Sequence, residues 1–385
     1  MASPGDGTAG PDVGAAGRAP GAGRDGEREV VVLVGTRKGL FRAVASGGRE
    51  DWRVEGPLLE GYEVYHAALD PRDPRTGLAA IRHDVWGTHV CRTEDAGRSW
   101  EQMPGRPIRE DDREVEAVWH VAPGPPGDPD RWYAGVQPAS LFVSGDGGES
   151  WRHLTGLDRH PTRETWQPAK GGLALHSVQL DPRDPDRMYV ALSAGGVYRS
   201  EDAGESWEPV NRGVRADFLP EERPASGQCV HCVRLHPARP DRLYQQNHCG
   251  TYRSDDRGES WTEITDGLPS DFGYVVGLDP ADPDRCWVVP EESSHMRSVC
   301  GGKFRVFESP DAGATWEPRT GGLPQEHAYV SVLREALATD GLSPCGVYMG
   351  TSTGHVFASP NGRSWTRVAS FLPRVLSVTV AVTRS

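Results

Sequence analysis

Residues 200–207 read Ser-Glu-Asp-Ala-Gly-Glu-Ser-Trp, and the pattern Ser/Thr-x-Asp-x-Gly-x-Ser/Thr-Trp recurs along the chain. Five full copies of this octapeptide end at Trp100, Trp151, Trp207, Trp261 and Trp316, and a shortened copy ends at Trp365. Successive tryptophans lie about 50 to 55 residues apart, a spacing typical of proteins that repeat a four-stranded sheet around an axis. The repeat therefore predicts an all-β propeller.

The clearest repeat unit, residues 176–210, alternates four short apolar segments with three turns rich in Pro, Asp and Gly. Such segments predict strands, and the octapeptide falls in the turn between the third and fourth of them. There its Asp can accept hydrogen bonds from backbone N–H groups, its Gly can adopt positive φ, and its Trp can pack as a wedge. We therefore interpret the recurring aspartates as structural: Asp95, Asp146, Asp202, Asp256 and Asp311.

The two ends of the repeat region are expected to complete each other. Residues 30–56 predict three strands without the octapeptide, and residues 375–382 predict one strand after the last repeat. Because an open strand edge invites aggregation, we expect the C-terminal strand to close the ring as the inner strand of the first blade. The prediction is a seven-bladed β-propeller of four-stranded antiparallel blades in one domain, residues 29–385, with six or eight blades as alternatives. Residues 1–28, rich in Gly, Ala, Pro and Asp, predict a disordered leader.

Charge and composition exclude several classes of partner. The 385 residues carry a formal net charge of −13, and no Lys/Arg stripe stands out, which argues against nucleic acid and anionic membranes as partners. Residues 1–28 contain no apolar stretch that could form a signal-peptide core or a membrane span. The seven cysteines are irregularly spaced, which favours reduced thiols over a disulfide framework. We expect a cytoplasmic monomer.

Connectivity sorts the loops of a propeller by face. Because strand direction alternates, the first-to-second and third-to-fourth turns share one face, and the second-to-third turns and inter-blade crossings share the other. The second face carries the irregular segments here, and variable loops on a rigid scaffold commonly bind ligands. The candidate ligand-binding residues on this loop-rich face and at the channel mouth are Arg37, Lys38, Tyr65, His83, Trp86, Gln137, His176, His231, Asn247, His248, Tyr274, Glu291 and Tyr329.

A ring of His and Tyr is expected around the channel mouth. Four residues lie six positions before the proline of the following turn, namely Tyr65, His176, His231 and Tyr274. Tyr329 takes the equivalent position by strand alignment. Such a ring is either the hydrated lining of a solvent-filled axis or the wall of a small-molecule or metal site, and the sequence leaves both open.

A divalent metal ion in the central channel is one hypothesis for this ring. Imidazoles of His176 and His231 would project from adjacent blades, and His248, His83 or Glu291 could complete three or four ligands. A metal-dependent hydrolase or lyase would then draw its catalytic residues from His176, His231, His248, Glu291 and Asp84. The pair Cys229 and Cys232 is not expected to chelate, because strand residues three apart point to opposite faces.

Glycoside hydrolysis would require two carboxylates facing one cavity. The candidates by face are Asp84, Glu116, Asp217, Glu291 and Glu292. Trp86, Trp119 and Trp166 could stack on sugars, with blade packing as the alternative interpretation of their aromatic rings.

The octapeptides at 200–207 and 254–261 resemble the Asp-box, or BNR, repeat of sialidases, Asp-box xyloglucanases, sortilin-type receptors and photosystem II assembly factors. The segments 32–41 and 243–261 are similar to bacterial sialidase-like or BNR-repeat propeller proteins. The resemblance implies a propeller over residues 30–382, with a sialidase-like or other glycoside hydrolase as an alternative function. The Phe/Tyr-Arg-Ile-Pro phrase of sialidases is absent from the sequence.

The sequence has many repeat motifs that predict the fold, but it shows no complete set of catalytic residues. The sequence therefore favours a binding scaffold whose loop-rich face takes a small molecule, a carbohydrate or a protein. The glycoside hydrolase and the metal-dependent enzyme remain the alternatives.

Overall fold

A computed structural model of the protein describes residues 28–111, 113–168 and 171–384. These residues form seven four-stranded antiparallel sheets, which confirms the predicted seven-bladed propeller. Blade 1 consists of β1 (Arg28–Thr36), β2 (Gly39–Ser46), β3 (Arg53–Leu58) and the C-terminal strand β28 (Val375–Arg384). Blade 2 consists of β4 (Glu63–Leu69), β5 (Gly77–His83), β6 (Gly87–Thr93) and β7 (Glu101–Gln102). Blade 3 consists of β8 (Ala117–Pro123), β9 (Trp132–Gln137), β10 (Ser140–Ser144) and β11 (Arg152–Leu154). Blades 4 and 5 consist of β12 (Leu175–Asp181), β13 (Asp184–Leu192), β14 (Gly196–Ser200) and β15 (Glu208–Pro209); β16 (Val230–Leu235), β17 (Leu243–Asn247), β18 (Gly250–Ser254) and β19 (Thr262–Glu263). Blades 6 and 7 consist of β20 (Gly273–Asp279), β21 (Asp282–Pro290), β22 (Val306–Ser309) and β23 (Glu317–Arg319); β24 (Leu337–Thr339), β25 (Val347–Gly350), β26 (Val356–Ser359) and β27 (Thr366–Ala369).

The C-terminal strand closes the ring as the sequence predicted. Strand β28 pairs antiparallel with β1, with Val30 opposite Val382 and Gly35 opposite Ser377. The inner strands contact one another in the circular order β28, β4, β8, β12, β16, β20, β24 and back to β28. The predicted leader lies outside the described residues, apart from Arg28 at the start of β1.

The octapeptide forms a compact hydrogen-bonded turn between the third and fourth strands. In blade 4, Asp202 Oδ1 accepts from the backbone N–H of Ser206 at 2.8 Å, and its Oδ2 accepts from the Ser206 hydroxyl at 2.6 Å. Gly204 has a φ of 95°, and the Trp207 indole donates to the Gly204 carbonyl at 3.0 Å. Ala203 also adopts positive φ, at 56°, a feature that the sequence pattern did not predict. The aspartate in this copy is therefore engaged in holding its own turn.

Apolar side chains fill the spaces between consecutive blades. One core joins Val31 and Leu33 of blade 1 to Val64 and Ile81 of blade 2. Strand β1 is buried along most of its length because blades 2 and 7 cover its two faces, which explains its unbroken apolar run. The scaffold is thus a ring of interlocked sheets whose inner strands converge on the axis.

Three further features bear on the sequence predictions. No helix in the described part of the chain is both long and apolar enough to cross a membrane. Its helical residues are confined to two short 3₁₀ turns, Pro161–Thr165 and Cys300–Gly302. All seven cysteines are buried free thiols, as expected for a chain without a disulfide framework.

Candidate functional site

A cavity of about 1140 Å³ opens at the axis on the loop-rich face. Its wall includes the second-to-third turn of blade 2, around His83 and Asp84, and the crossings near Gly171 and Arg374. The irregular loops therefore surround a central depression, which we call the central cavity.

Bulges in the inner strands determine which side chains face this region. In six of the seven described blades, the pairing register of the inner strand shifts near its start. The residues left without a register partner are Tyr65, Trp119, His176, His231, Tyr274 with Val275, and Leu376. A bulge re-aims the side chain it carries, but of these residues only Tyr65, Trp119, Tyr274 and Leu376 line the cavity, whereas His176 and His231 are buried between blades. Trp119 belongs to the ring as well, since it lies six residues before Pro125, a count that could have identified it from the sequence.

The alignment that placed Tyr329 in the ring was wrong. Tyr329 lies outside the strands, before β24, and 61% of its surface is exposed. Glu335 holds the matching position, five residues before Asp340, as Tyr65 lies five residues before Asp70. The other ring positions were found by counting back six residues from a proline. In this blade Gly341 stands where that proline would be, so the count could not identify Glu335.

Two aromatic rings form a platform in the cavity wall. The centroids of Tyr65 and Trp119 lie 5.1 Å apart with the rings tilted by 53°. The Trp119 indole donates to Gln137 Oε1 at 2.9 Å, and the Gln137 amide donates in turn to Glu116 Oε2 at 2.5 Å. This chain fixes the orientation of Trp119 while its ring remains partly exposed to the cavity.

Five arginines line the cavity, and they differ in their partners. Arg37 and Arg82 both pair with Glu63, at 3.2 and 3.1 Å. The guanidinium of Arg334 lies 5.2 Å from the Tyr274 ring centroid and has no carboxylate within ion-pair distance among the described residues. The same holds for Arg297 and Arg374. One side of the cavity thus presents cationic hydrogen-bond donors that no described carboxylate neutralises.

A polar cluster crosses the axis beneath the cavity. The Glu335 carboxylate accepts from Arg234 Nη2 at 2.8 Å and from the Ser177 hydroxyl at 3.4 Å, and His120 Nδ1 lies 3.9 Å away. His66 stacks on His120 with ring centroids 4.2 Å apart. Burial lowers the pKa of both imidazoles to about 3, so both are neutral at pH 7. Side chains from blades 2, 3, 4, 5 and 7 meet here, between the central cavity and a smaller cavity on the opposite face.

His176 and His231 connect neighbouring blades through the backbone. His176 Nε2 lies 2.9 Å from the Val230 carbonyl, and His231 Nδ1 lies 2.6 Å from the Gly273 carbonyl. A carbonyl can only accept, so each of these ring nitrogens carries the proton. Burial holds the pKa of both imidazoles well below the ordinary value. Both residues therefore bridge blades as neutral donors.

The structure brings some of the predicted metal and catalytic candidates together and separates others. His231 and His248 approach Cys229, and the three donor atoms lie within 4.8 Å of one another. His176 is not part of this group. Glu291 is fully buried behind the cavity wall, where its carboxylate accepts from the Ser331 hydroxyl at 2.5 Å. Burial raises the pKa of Glu291 to about 7.

The remaining candidates divide by their distance from the cavity. Those that line it are Arg37, Tyr65, His83, Asp84, Gln137 and Tyr274. Those that do not line it are Lys38, Trp86, His176, His231, Asn247, His248, Glu291 and Tyr329. Sequence reasoning missed Arg334 and Glu335 altogether, because nothing in the repeat pattern marks the irregular segment that precedes β24.

Comparison with known proteins gives related sequences and folds. No protein-family model matches the chain. An oligoxyloglucan-reducing end-specific xyloglucanase of Emericella nidulans is 27% identical over 283 residues, which cover 65% of this chain and 33% of that protein. The chain thus spans about a third of the length of this relative.

Solved structures share the propeller fold. The GH74 enzyme of Niastella koreensis superposes with a TM-score of 0.59 at 19% identity, covering 87% of this chain and 52% of that one. YCF48 from Cyanidioschyzon merolae superposes with a TM-score of 0.53 at 16% identity, covering 81% and 86% of the two chains. The protein is a seven-bladed propeller related in sequence to xyloglucanases.

Proposed function

We propose that the central cavity binds an oligosaccharide. The observation that carries this proposal is the platform of Tyr65 and Trp119, whose rings lie 5.1 Å apart in the cavity wall. A flat aromatic face packs against the apolar C–H face of a sugar ring, and the indole is held in place by Gln137. The neighbouring Glu116 carboxylate is an acceptor and the Arg334 guanidinium a donor for sugar hydroxyls.

The size of the cavity supports a ligand larger than a monosaccharide. Its volume of about 1140 Å³ exceeds the range of roughly 300 to 1,000 Å³ that suits drug-sized ligands. The sequence similarity to a xyloglucanase favours a xyloglucan-derived oligosaccharide within this class. This similarity spans only about a third of that enzyme, so the ligand has to be identified by direct binding.

The test is isothermal titration calorimetry with xyloglucan, cellulose-derived and chitin-derived oligosaccharides. We expect one of these ligands to bind the wild-type protein and Trp119→Ala to weaken that binding about tenfold or more. Trp86→Ala is the matched control, because Trp86 is an exposed tryptophan on the same face that does not line the cavity. Equal affinity of the Trp119→Ala variant and the wild type would refute the proposed site.

Glycoside hydrolysis is a second candidate function at the same cavity. The carboxylates of Asp84, Glu114 and Glu116 all line it, and hydrolysis by either common mechanism uses two such groups. Release of reducing ends from a bound oligosaccharide, abolished by Asp84→Asn while binding persists, would support an enzyme. Binding without any release of reducing ends would instead support a carbohydrate-binding scaffold.

A further inference from the structure

A cysteine and two histidines converge beside the inner strand of blade 5. Cys229 directly precedes β16, His231 is the bulge residue of that strand, and His248 lies in the turn between β17 and β18. The backbone N–H of His248 donates to the Cys229 carbonyl at 2.9 Å, which ties the turn to the strand. The thiol and the two imidazoles therefore come from backbone segments that are fixed relative to each other.

The hydrogen bond of His231 determines which of its nitrogens can bind a metal. Nδ1 carries the proton that is donated to the Gly273 carbonyl, so the lone pair lies on Nε2, which accepts from the Cys229 thiol and can bind a metal ion once that thiol is deprotonated. Nε2 lies 3.6 Å from the Cys229 sulfur. Metal-binding histidines usually donate their other ring N–H to a carboxylate or a backbone carbonyl, which sets the tautomer and the ring orientation. His231 already has this arrangement.

The separation of the donor atoms matches that expected around one metal ion. Two ligands of a tetrahedral zinc ion, a sulfur at about 2.3 Å and a nitrogen at about 2.0 to 2.1 Å, lie about 3.6 Å apart. The Cys229 Sγ to His231 Nε2 distance is 3.6 Å, and the His248 donor atom lies within 4.8 Å of both. We infer that Cys229, His231 and His248 form a Zn²⁺ site with three protein ligands and a fourth position for water or a further ligand.

Aromatic side chains pack against the two histidine ligands. Cys229 and His231 are buried, and His248 is partly exposed toward the loop-rich face. The Phe272 ring lies 5.3 Å from that of His231 and 5.2 Å from that of His248. The Tyr274 ring, which lines the central cavity, lies 4.6 Å from that of His231. An apolar shell of this kind limits solvent access, and the site adjoins the proposed sugar cavity without sharing its residues.

A second group of donor atoms, on the axis, does not fit a metal ion as well. His66, His120 and Glu335 also lie within 4.8 Å of one another. The two imidazoles stack with an interplanar angle of 29°, and the carboxylate already accepts from Arg234 at 2.8 Å. The zinc assignment therefore concerns the cluster of blade 5 alone.

Elemental analysis of the purified full chain tests the site, after dialysis against Zn²⁺ and removal of the unbound ion. We expect about one zinc per chain in the wild type and a loss in Cys229→Ala and His248→Gln, with Zn²⁺ binding weakened about 100-fold or more. His83→Gln and Cys300→Ala are matched controls, because they remove a histidine and a buried cysteine outside the cluster. The thermal melt of each variant shows whether it is folded.

Cobalt substitution adds a spectroscopic measurement that is independent of any activity. Co²⁺ bound by Cys229 is expected to give a thiolate charge-transfer band in the wild type and in His83→Gln, and no such band in Cys229→Ala. Failure of the folded wild type to retain zinc would overturn the assignment. So would undiminished zinc in a folded Cys229→Ala or His248→Gln variant.

Discussion

Replacing Glu335 with Gln is expected to destabilise the propeller by about 3 kcal/mol. The change removes the charge that faces Arg234 at 2.8 Å, in a pair whose side chains are 7% and 20% exposed. Breaking a buried pair by removing one partner costs about 3 to 5 kcal/mol, because the other charge is left uncompensated. Since Arg234 keeps some contact with solvent, we take the lower end of that range.

Urea denaturation followed by circular dichroism measures this cost. The double variant Arg234→Met/Glu335→Leu is the control, because a buried ion pair replaced by apolar groups of similar size often leaves stability nearly unchanged. We therefore expect the double variant to be more stable than Glu335→Gln. A loss below about 1 kcal/mol in Glu335→Gln, or a double variant at least as unstable as that single variant, would show that the axial cluster does not act as a coupled pair.

Deleting residues 375–385 removes β28 and leaves the edge of β1 open. We therefore expect a lower melting temperature and aggregation in size-exclusion chromatography. An unchanged melting temperature would contradict the ring closure. Asp202→Ala removes the acceptor of the Ser206 N–H and hydroxyl and should cost about 1 to 2 kcal/mol in urea denaturation. Glu205→Ala in the same turn removes only an exposed ion pair with Arg152 and should cost less than about 1 kcal/mol. Acidification should lower the melting temperature below pH 6.5, because His66 and His120 have pKa values of about 3 in the folded chain against an ordinary value of 6.5. The unfolded chain then binds protons that the folded chain does not, which lowers the free energy of unfolding by up to about 1.4 kcal/mol per pH unit for each imidazole. Constant stability from pH 7 to pH 5 would argue against neutral buried imidazoles.

The fold could be predicted because its signals are local and repeated. The octapeptide that ends at Trp207 contains its own turn, so the same residues produce the same hydrogen bonds wherever they recur. Ring closure was also predictable, since residues 30–56 supplied three strands and residues 375–382 supplied the fourth. Both inferences needed only strand patterns and the rule that a sheet edge must be covered.

The site was less predictable because bulges and irregular crossings determine it. A strand alternates its side chains between two faces, and one extra residue changes which side chain faces the axis. The count from proline therefore found Tyr65 and Tyr274 and would have found Trp119, but it failed in blade 7, where no proline stands at that position. Arg234 and Glu335 meet across the axis from blades 5 and 7, a contact between segments about 100 residues apart that periodicity cannot reveal.

The donor atoms of the proposed zinc site could be predicted only in part. Two of its three proposed ligands, His231 and His248, were identified from their position on the loop-rich face. His176 seemed equivalent to His231 by spacing, yet it donates to the Val230 carbonyl and lies outside the cluster. Cys229 lies two residues before His231, and residues two apart on a strand share a face, so this third donor could have been expected had Cys229 been considered with His231 instead of with Cys232.

The location of a bound sugar tests the central proposal most directly. The measurement is a crystal structure of the protein with the oligosaccharide that binds most tightly in calorimetry. We predict a sugar ring packed on Trp119, with heavy atoms within about 4.5 Å of the indole, and its hydroxyls bonded to Glu116 or Arg334. An oligosaccharide bound on the opposite face or at the outer strands, without contact to Tyr65 or Trp119, would contradict the assignment of the central cavity.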